Sequence, residues 1–188
     1  MDQKTIIILA VLVVGLIAIA WAIAHSRRTA RTERLRRHFG PEYDRTVREK
    51  GPAKAETVLL QRKERVEKFT IPELGAAERE RFISEWRAVQ ARFVDDPKGS
   101  VNDADKLVTS VMHARGYPMS DFEQRAADIS VDHPRVVDNY RAAHEIALRH
   151  QRGQATTEDL RNAIIYYRSL FGELLQNKAV DGRPREVA

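Results

Sequence analysis

Histidine and carboxylate side chains are concentrated between residues 115 and 150, and these are the groups that transfer protons and bind metals in proteins. Metal sites in helical bundles use Glu-x-x-His pairs, because residues three apart share one helix face. Here His144 and Glu145 are adjacent and point about 100° apart on a helix. His150 is six residues from His144 and falls on a different face. We therefore expect no metal site in this segment.

Motifs for nucleophilic or phosphate chemistry are missing from the sequence. It has no GxSxG, GxxxxGK[ST] or GxGxxG pattern, and no cysteine to act as a nucleophile or thiolate ligand. The carboxylate pairs Asp95–Asp96 and Asp103–Asp105 lie in turn or capping contexts, where aspartate is favoured for backbone reasons. We predict a non-enzymatic protein without catalytic residues, metal or cofactor.

The same polar segment is the best candidate for an interaction surface. We expect this surface to lie around the turn at Asp132-His133-Pro134 and on the neighbouring helix faces. The simpler alternative is that Asp132 caps a helix and His133 is a solvated residue of the first turn. A small-ligand or metal site around the same residues is the alternative to a protein-binding role. The candidate surface residues are Asp128, Asp132, His133, Arg141, His144 and Tyr166.

An uninterrupted apolar run from Thr5 to Ala24 supplies the strongest signal in the chain. Twenty residues in a helix span about 30 Å, which is the thickness of the hydrocarbon core of a bilayer. Basic residues next to a membrane span stay on the cytoplasmic side, and a cluster of arginines follows the run at once. This predicts a single-pass membrane anchor, with the chain from His25 onward in the cytoplasm.

A cleaved signal peptide is the main alternative, because Ala22-Ile23-Ala24 matches a small-x-small cleavage site. Against it, the residues before the run are nearly neutral, and the run exceeds the usual hydrophobic region of about 7–15 residues. If the topology is reversed, the body instead faces the envelope. We favour the anchor.

The basic excess lies beside the membrane. Residues 25–68 contain 14 Lys and Arg and 7 Asp and Glu, whereas residues 69–188 contain 17 and 19. This distribution favours anionic lipid headgroups over nucleic acid as the contact of the basic segment. Setting the topology is an equally good explanation of the cluster. The residues predicted to contact lipid headgroups are Arg27, Arg28, Arg31, Arg34, Arg36 and Arg37.

Apolar residues recur at three- and four-residue spacing after the run, which predicts an all-α protein. The anticipated organisation is an anchor at 1–24, basic juxtamembrane helices and a linker at 25–75, a small antiparallel bundle at 76–175 and a disordered tail at 176–188. The charged helix expected at 53–69 has only a thin apolar stripe. It therefore forms a stalk or covers one side of the bundle.

Local signals predict several boundaries within the bundle. A turn is predicted at residues 95–99, and Gly116 is predicted to end a helix. Ser120 and Glu123 form a capping-box pattern, so a helix is expected from there to about Ile129. A further helix should follow with Pro134 in its first turn, and Thr156 or Thr157 should cap the last helix.

Two aromatic stripes, Phe82/Trp86/Phe93 and Tyr166-Tyr167/Phe171, are most simply core residues. Part of either stripe could instead line a groove for a partner helix. Tyr166 lies off the main stripe and is the better candidate for an exposed contact.

Three stretches carry a resemblance to known sequences: LRRHFGPEYDRTVREKG, ERERFISEWRAVQARFVDDPKGSVNDADKLVTSVMHARGYP and SDFEQRAADISVDHPRVVDNYRAAHEIALRH. They resemble an uncharacterised family of small bacterial proteins with one N-terminal membrane segment and a soluble helical domain. The resemblance covers about Leu35 to Leu175. It implies an inner-membrane location and an all-α body, and it implies no catalytic residues or cofactors.

Together these observations predict a membrane-anchored helical domain that binds a protein partner or self-associates at the cytoplasmic membrane surface.

Overall fold

The computed structural model describes residues 3–176, and their side chains from Leu12 onward. Over this range the chain is all-α, with eight helices and no strand, as the sequence predicts. The predicted tail at 176–188 lies outside the described residues except for Gln176. The helices are α1 (Gln3–Phe39), α2 (Pro41–Lys50), α3 (Pro52–Val66), α4 (Ala76–Arg92), α5 (Pro97–Ala114), α6 (Phe122–Asp132), α7 (Val137–Gln151) and α8 (Thr157–Leu175).

Helix α1 contains the apolar run and continues without a break through the arginine cluster. Its side chains from Leu12 to Arg31 are exposed. It is the one helix among the described residues that is long and apolar enough to cross a membrane. A signal sequence has the same properties, so the choice of a retained anchor stays a prediction.

The bundle, helices α4 to α8, surrounds the main apolar core. Helix α8 packs on α5 and α7, α4 packs on α5, and α6 packs on α7. Both aromatic stripes contribute to this core: Phe82, Trp86, Tyr167 and Phe171 are buried, and Phe93 is partly buried against them. Trp86 stacks on Phe171 with ring centroids 4.8 Å apart. The simpler interpretation of the stripes, as core residues, is therefore correct.

Helices α2 and α3, which we call the arm, belong to the same compact unit as the bundle. This unit begins at Phe39 and not at the linker expected near residues 70–75. The thin stripe of α3 is buried at Ala55, Leu59 and Val66, and α3 packs on both α2 and α6. The charged helix thus covers one side of the bundle, which is the second of the two alternatives above.

The prediction of a turn over residues 95–99 is wrong, because α5 already begins at Pro97. The Asp96 side chain caps this helix by accepting a hydrogen bond from the Gly99 amide at 2.9 Å. A Cβ at Gly99 would lie 2.1 Å from Asp96 Oδ2, so the absence of a side chain there allows the cap. At the other end of α5, Gly116 ends the helix at φ +77°, as predicted.

The predicted capping box of Ser120 and Glu123 is also wrong. Asp121 caps α6 instead, accepting a hydrogen bond from the Gln124 amide at 2.9 Å, since aspartate is at least as good a cap as serine. Helix α6 extends to Asp132, three residues beyond the predicted end. Helix α7 begins only at Val137, so Pro134 lies in the turn before it. For α8, Thr156 is the capping residue and forms a capping box with Asp159.

Candidate functional site

The residues predicted to form an interaction surface do not all lie together. Asp128 and Arg141 lie where the arm meets the bundle, and Asp132 and His133 lie at the end of α6. Arg141 and His144 line one surface groove. Tyr166 on α8 is partly buried against the core, so its ring is less available than the sequence suggested. The predicted surface is therefore not one continuous site.

Glu42 at the start of α2 is the centre of the contact between the arm and the bundle. Its side chain is 1% exposed and lies between two arginines. Arg141 of α7 donates to both carboxylate oxygens, at 2.6 and 2.9 Å, and Arg62 of α3 donates to Oε1 at 2.6 Å. Burial alone would raise the pKa of Glu42, but the two guanidinium groups outweigh it and lower the pKa below its ordinary value.

A second buried carboxylate, Asp128 of α6, pairs with the last turn of α3. Its Oδ1 accepts from Arg65 Nε at 3.0 Å and from Gln124 Nε2 at 2.8 Å. Ser130, two residues further on, lies 3.3 Å from the Arg62 guanidinium. Asp128 therefore positions the arm, and its buried carboxylate is not presented to solvent.

The end of α6 forms a polar cluster with the ends of α5 and α8. Tyr117 donates from its hydroxyl to Asp132 Oδ2 at 2.7 Å. His133 is 7% exposed, and its Nδ1 lies 3.7 Å from a Glu173 carboxylate oxygen. The buried Arg115 donates to the Leu174 carbonyl at 2.9 Å. Asp132 does not cap the following helix, and His133 is not a solvated first-turn residue.

The buried histidine makes the stability of the body depend on pH. Burial lowers the pKa of His133, although Asp132 and Glu173 act in the opposite direction and Arg115 adds to the lowering. Because the unfolded chain takes up the proton first, at about pH 6.5, stability should fall as the pH drops below this value.

We expect His133→Gln to reduce this loss of stability, because a neutral side chain removes the titration. Urea unfolding of the full chain at pH 7.5 and 5.5 measures the effect. His113→Gln, at an exposed position of α5, is the matched control. If the free energy of unfolding of His133→Gln differs between pH 7.5 and 5.5 as much as that of the unsubstituted protein, His133 does not cause the pH dependence.

A groove of about 640 Å³ runs along the surface between α6, α7 and the start of the arm. His144 stacks on Phe122 in its wall, with ring centroids 3.6 Å apart. Burial lowers the pKa of His144, which favours the neutral ring that stacks there. The groove is lined by Arg45, Asp121, Phe122, Glu123, Arg141, Ala142, His144, Glu145 and Leu148.

Sequence reasoning missed Glu42, Arg62 and Arg45. Glu42 has the pattern of an acidic residue in the first turn of a helix, which is favourable for electrostatic reasons alone. Its partner Arg141 lies 99 positions away, so no local pattern connects the two residues.

The arginines predicted to contact lipid extend along a continuous helix, and its rise separates them. On a helix normal to the bilayer, Arg27 and Arg28 lie about 5 Å beyond Ala24 and Arg31 about 10 Å beyond it. Arg34, Arg36 and Arg37 lie about 15 to 20 Å beyond it, which exceeds a headgroup layer of roughly 5–8 Å. The predicted lipid contact thus fits Arg27 and Arg28, which lie within this layer, better than the four arginines further along the helix.

Within residues 3–176 no group of three or more His, Asp or Glu side chains converges in a way that could hold a metal ion. The chain matches no protein-family model, and it has no match among curated proteins or solved structures. The resemblance to a bacterial membrane-protein family therefore stays a prediction. Any function must be argued from the residues themselves.

Proposed function

We propose that this protein is a non-enzymatic, single-pass membrane protein whose helical body binds a protein partner at the cytoplasmic membrane surface. The observation that carries the proposal is helix α1, in which a bilayer-length apolar segment runs directly into a dense arginine cluster. Such a segment holds the protein at the membrane and orients it by the positive-inside rule. The described side chains of the apolar segment, from Leu12 onward, are exposed.

The groove between α6 and α7 is the surface we assign to the partner. It is lined by the apolar side chains of Phe122, Ala142 and Leu148 together with basic and acidic residues. Interfaces of this kind bury an apolar centre and keep a polar rim. An amphipathic helix with charges of both signs fits such a groove. A second copy of this chain is included among the possible partners.

Site-specific photo-crosslinking in cells tests the proposal. A photoreactive phenylalanine replaces Glu145, which is exposed and lines the groove, or Gln90, which is exposed on α4 as the matched control. We expect a discrete crosslinked species from position 145 and none from position 90. If this species contains two copies of the chain, the partner is a second copy. No species from position 145, or equal crosslinking from both positions, would contradict the assignment.

A further inference from the structure

The buried charges of the body are concentrated where the arm meets the bundle. Glu42 and Asp128 are each 1% exposed, and Ser130 is fully buried beside them. The arginines that pair with the two carboxylates are Arg62 and Arg65 of α3 and Arg141 of α7. Two of these ion pairs, Glu42–Arg141 and Arg65–Asp128, connect the arm, which follows the membrane helix in sequence, to α7 and α6. The third pair, Glu42–Arg62, lies within the arm.

The apolar contacts of the arm lie outside the main core. The buried apolar residues of that core begin at Leu74 and run through the bundle to Leu174. Tyr43, Ala55, Leu59 and Val66 are buried in the arm but are not members of this cluster. The buried apolar residues of the arm thus do not belong to the main core, and two buried carboxylates form ion pairs across its contact with the bundle.

Such a contact fixes a geometry more than it adds stability. Taking charges out of water costs several kcal/mol per ion, so a buried ion pair is often no more stabilising than apolar side chains of the same volume. Here two buried polar atoms, Asp128 Oδ2 and Arg141 Nε, also have no hydrogen-bond partner within the described part of the chain. Each unsatisfied atom weakens the docked state further.

We propose that the arm is a releasable element: helices α2 and α3 detach from α6 and α7 as a unit while the bundle stays folded. Glu67 and Lys68 form no helix and lie between the end of α3 and Phe69, which packs against the main core, so these two residues would act as the hinge. Regions held by few apolar contacts open with free energies below that of global unfolding. The Glu42–Arg141 and Arg65–Asp128 pairs are the contacts that break and re-form.

Release of the arm would also change the partner groove, a consequence that rests on the function proposed above. Arg45 belongs to the arm, and Arg141 is held in place by Glu42, yet both residues line the groove. When the arm leaves, Arg45 leaves with it and Arg141 loses the carboxylate that orients it. Movement of the segment next to the membrane helix would thereby control partner binding.

Hydrogen exchange of the full chain in detergent or nanodiscs tests the release without any partner. We compare exchange of the α2 and α3 amides with that of the α8 amides. The first variant is Glu42→Gln, which removes the buried charge with little change of shape. The matched control is Glu49→Gln, since Glu49 lies in the same helix and makes an exposed ion pair with Arg45.

In the unsubstituted protein we expect α2 and α3 to exchange at least tenfold faster than α8. Glu42→Gln should accelerate arm exchange by about a hundredfold and leave α8 unchanged. Glu49→Gln should change neither rate appreciably. Equal exchange of the arm and α8 in the unsubstituted protein would overturn the proposal, and this comparison suffices even if Glu42→Gln does not fold. Because no partner is present, a negative result leaves the crosslinking test of the groove independent.

Discussion

Replacing Val14 and Ile17 with arginine should remove the protein from the membrane fraction. Both residues lie near the centre of the apolar run and are exposed on α1. An arginine at the centre of a membrane helix costs about 2.5–3.5 kcal/mol on insertion scales, so two of them cancel most of the gain from the apolar residues. Alkaline extraction of membranes, followed by immunodetection of the pellet and the supernatant, measures the result.

The matched control for this prediction adds the same two charges outside the run, as Ser26→Arg and Thr29→Arg. These positions lie on the same helix beyond Ala24, where arginine is tolerated. The control should stay in the membrane pellet. If the central variant also stays there, the apolar run does not hold the protein at the membrane.

Truncation of Phe171 to alanine should be among the most destabilising single changes in the bundle. The ring is 4% exposed and stacks on Trp86, so its loss leaves a cavity in the core. Removing a buried phenylalanine side chain costs about 3–5 kcal/mol. Urea unfolding, followed by circular dichroism, reports the change in the free energy of unfolding.

Ile165→Ala is the control for this change, because Ile165 lies on the same helix and is 54% exposed. It should alter stability by less than about 0.5 kcal/mol. Since α8 belongs to the bundle and not to the arm, Phe171→Ala should lower the stability of α5, α7 and α8 together. A loss no larger than that of the control would show that the aromatic pair is not part of a well-packed core.

The helices were predictable because their signals are local. Apolar spacing of three and four residues identified the long helices of the bundle, a capping pattern identified α6, and Gly116 marked the end of α5 correctly. The helix boundaries that were predicted wrongly lie where two neighbouring side chains could each cap the helix. Asp121 prevails over Ser120, and Asp96 together with Pro97 starts α5 earlier than the turn-like composition suggests. Which of two adjacent side chains caps a helix depends on backbone angles that the sequence does not specify.

The candidate site was less predictable because its contacts are not local. The polar segment between residues 115 and 150 stays a candidate, but several of its charged residues are buried. Asp128 pairs with Arg65 across 63 positions, and Arg141 pairs with Glu42 across 99. Charged residues are usually solvated, so the residue type alone does not indicate that a charged side chain is buried against a distant partner. Only packing of the arm on the bundle brings these charges together.

The most direct test of a membrane-anchored, cytoplasmic body is the accessibility of a single cysteine. The chain has no cysteine, so Ser84→Cys, at an exposed position of α4, introduces a unique label site. Spheroplasts are treated with a membrane-impermeant maleimide before and after lysis. We predict labelling only after lysis, on a full-length protein in the membrane fraction. Labelling of intact spheroplasts, or a soluble product shortened by the apolar segment, would contradict the account.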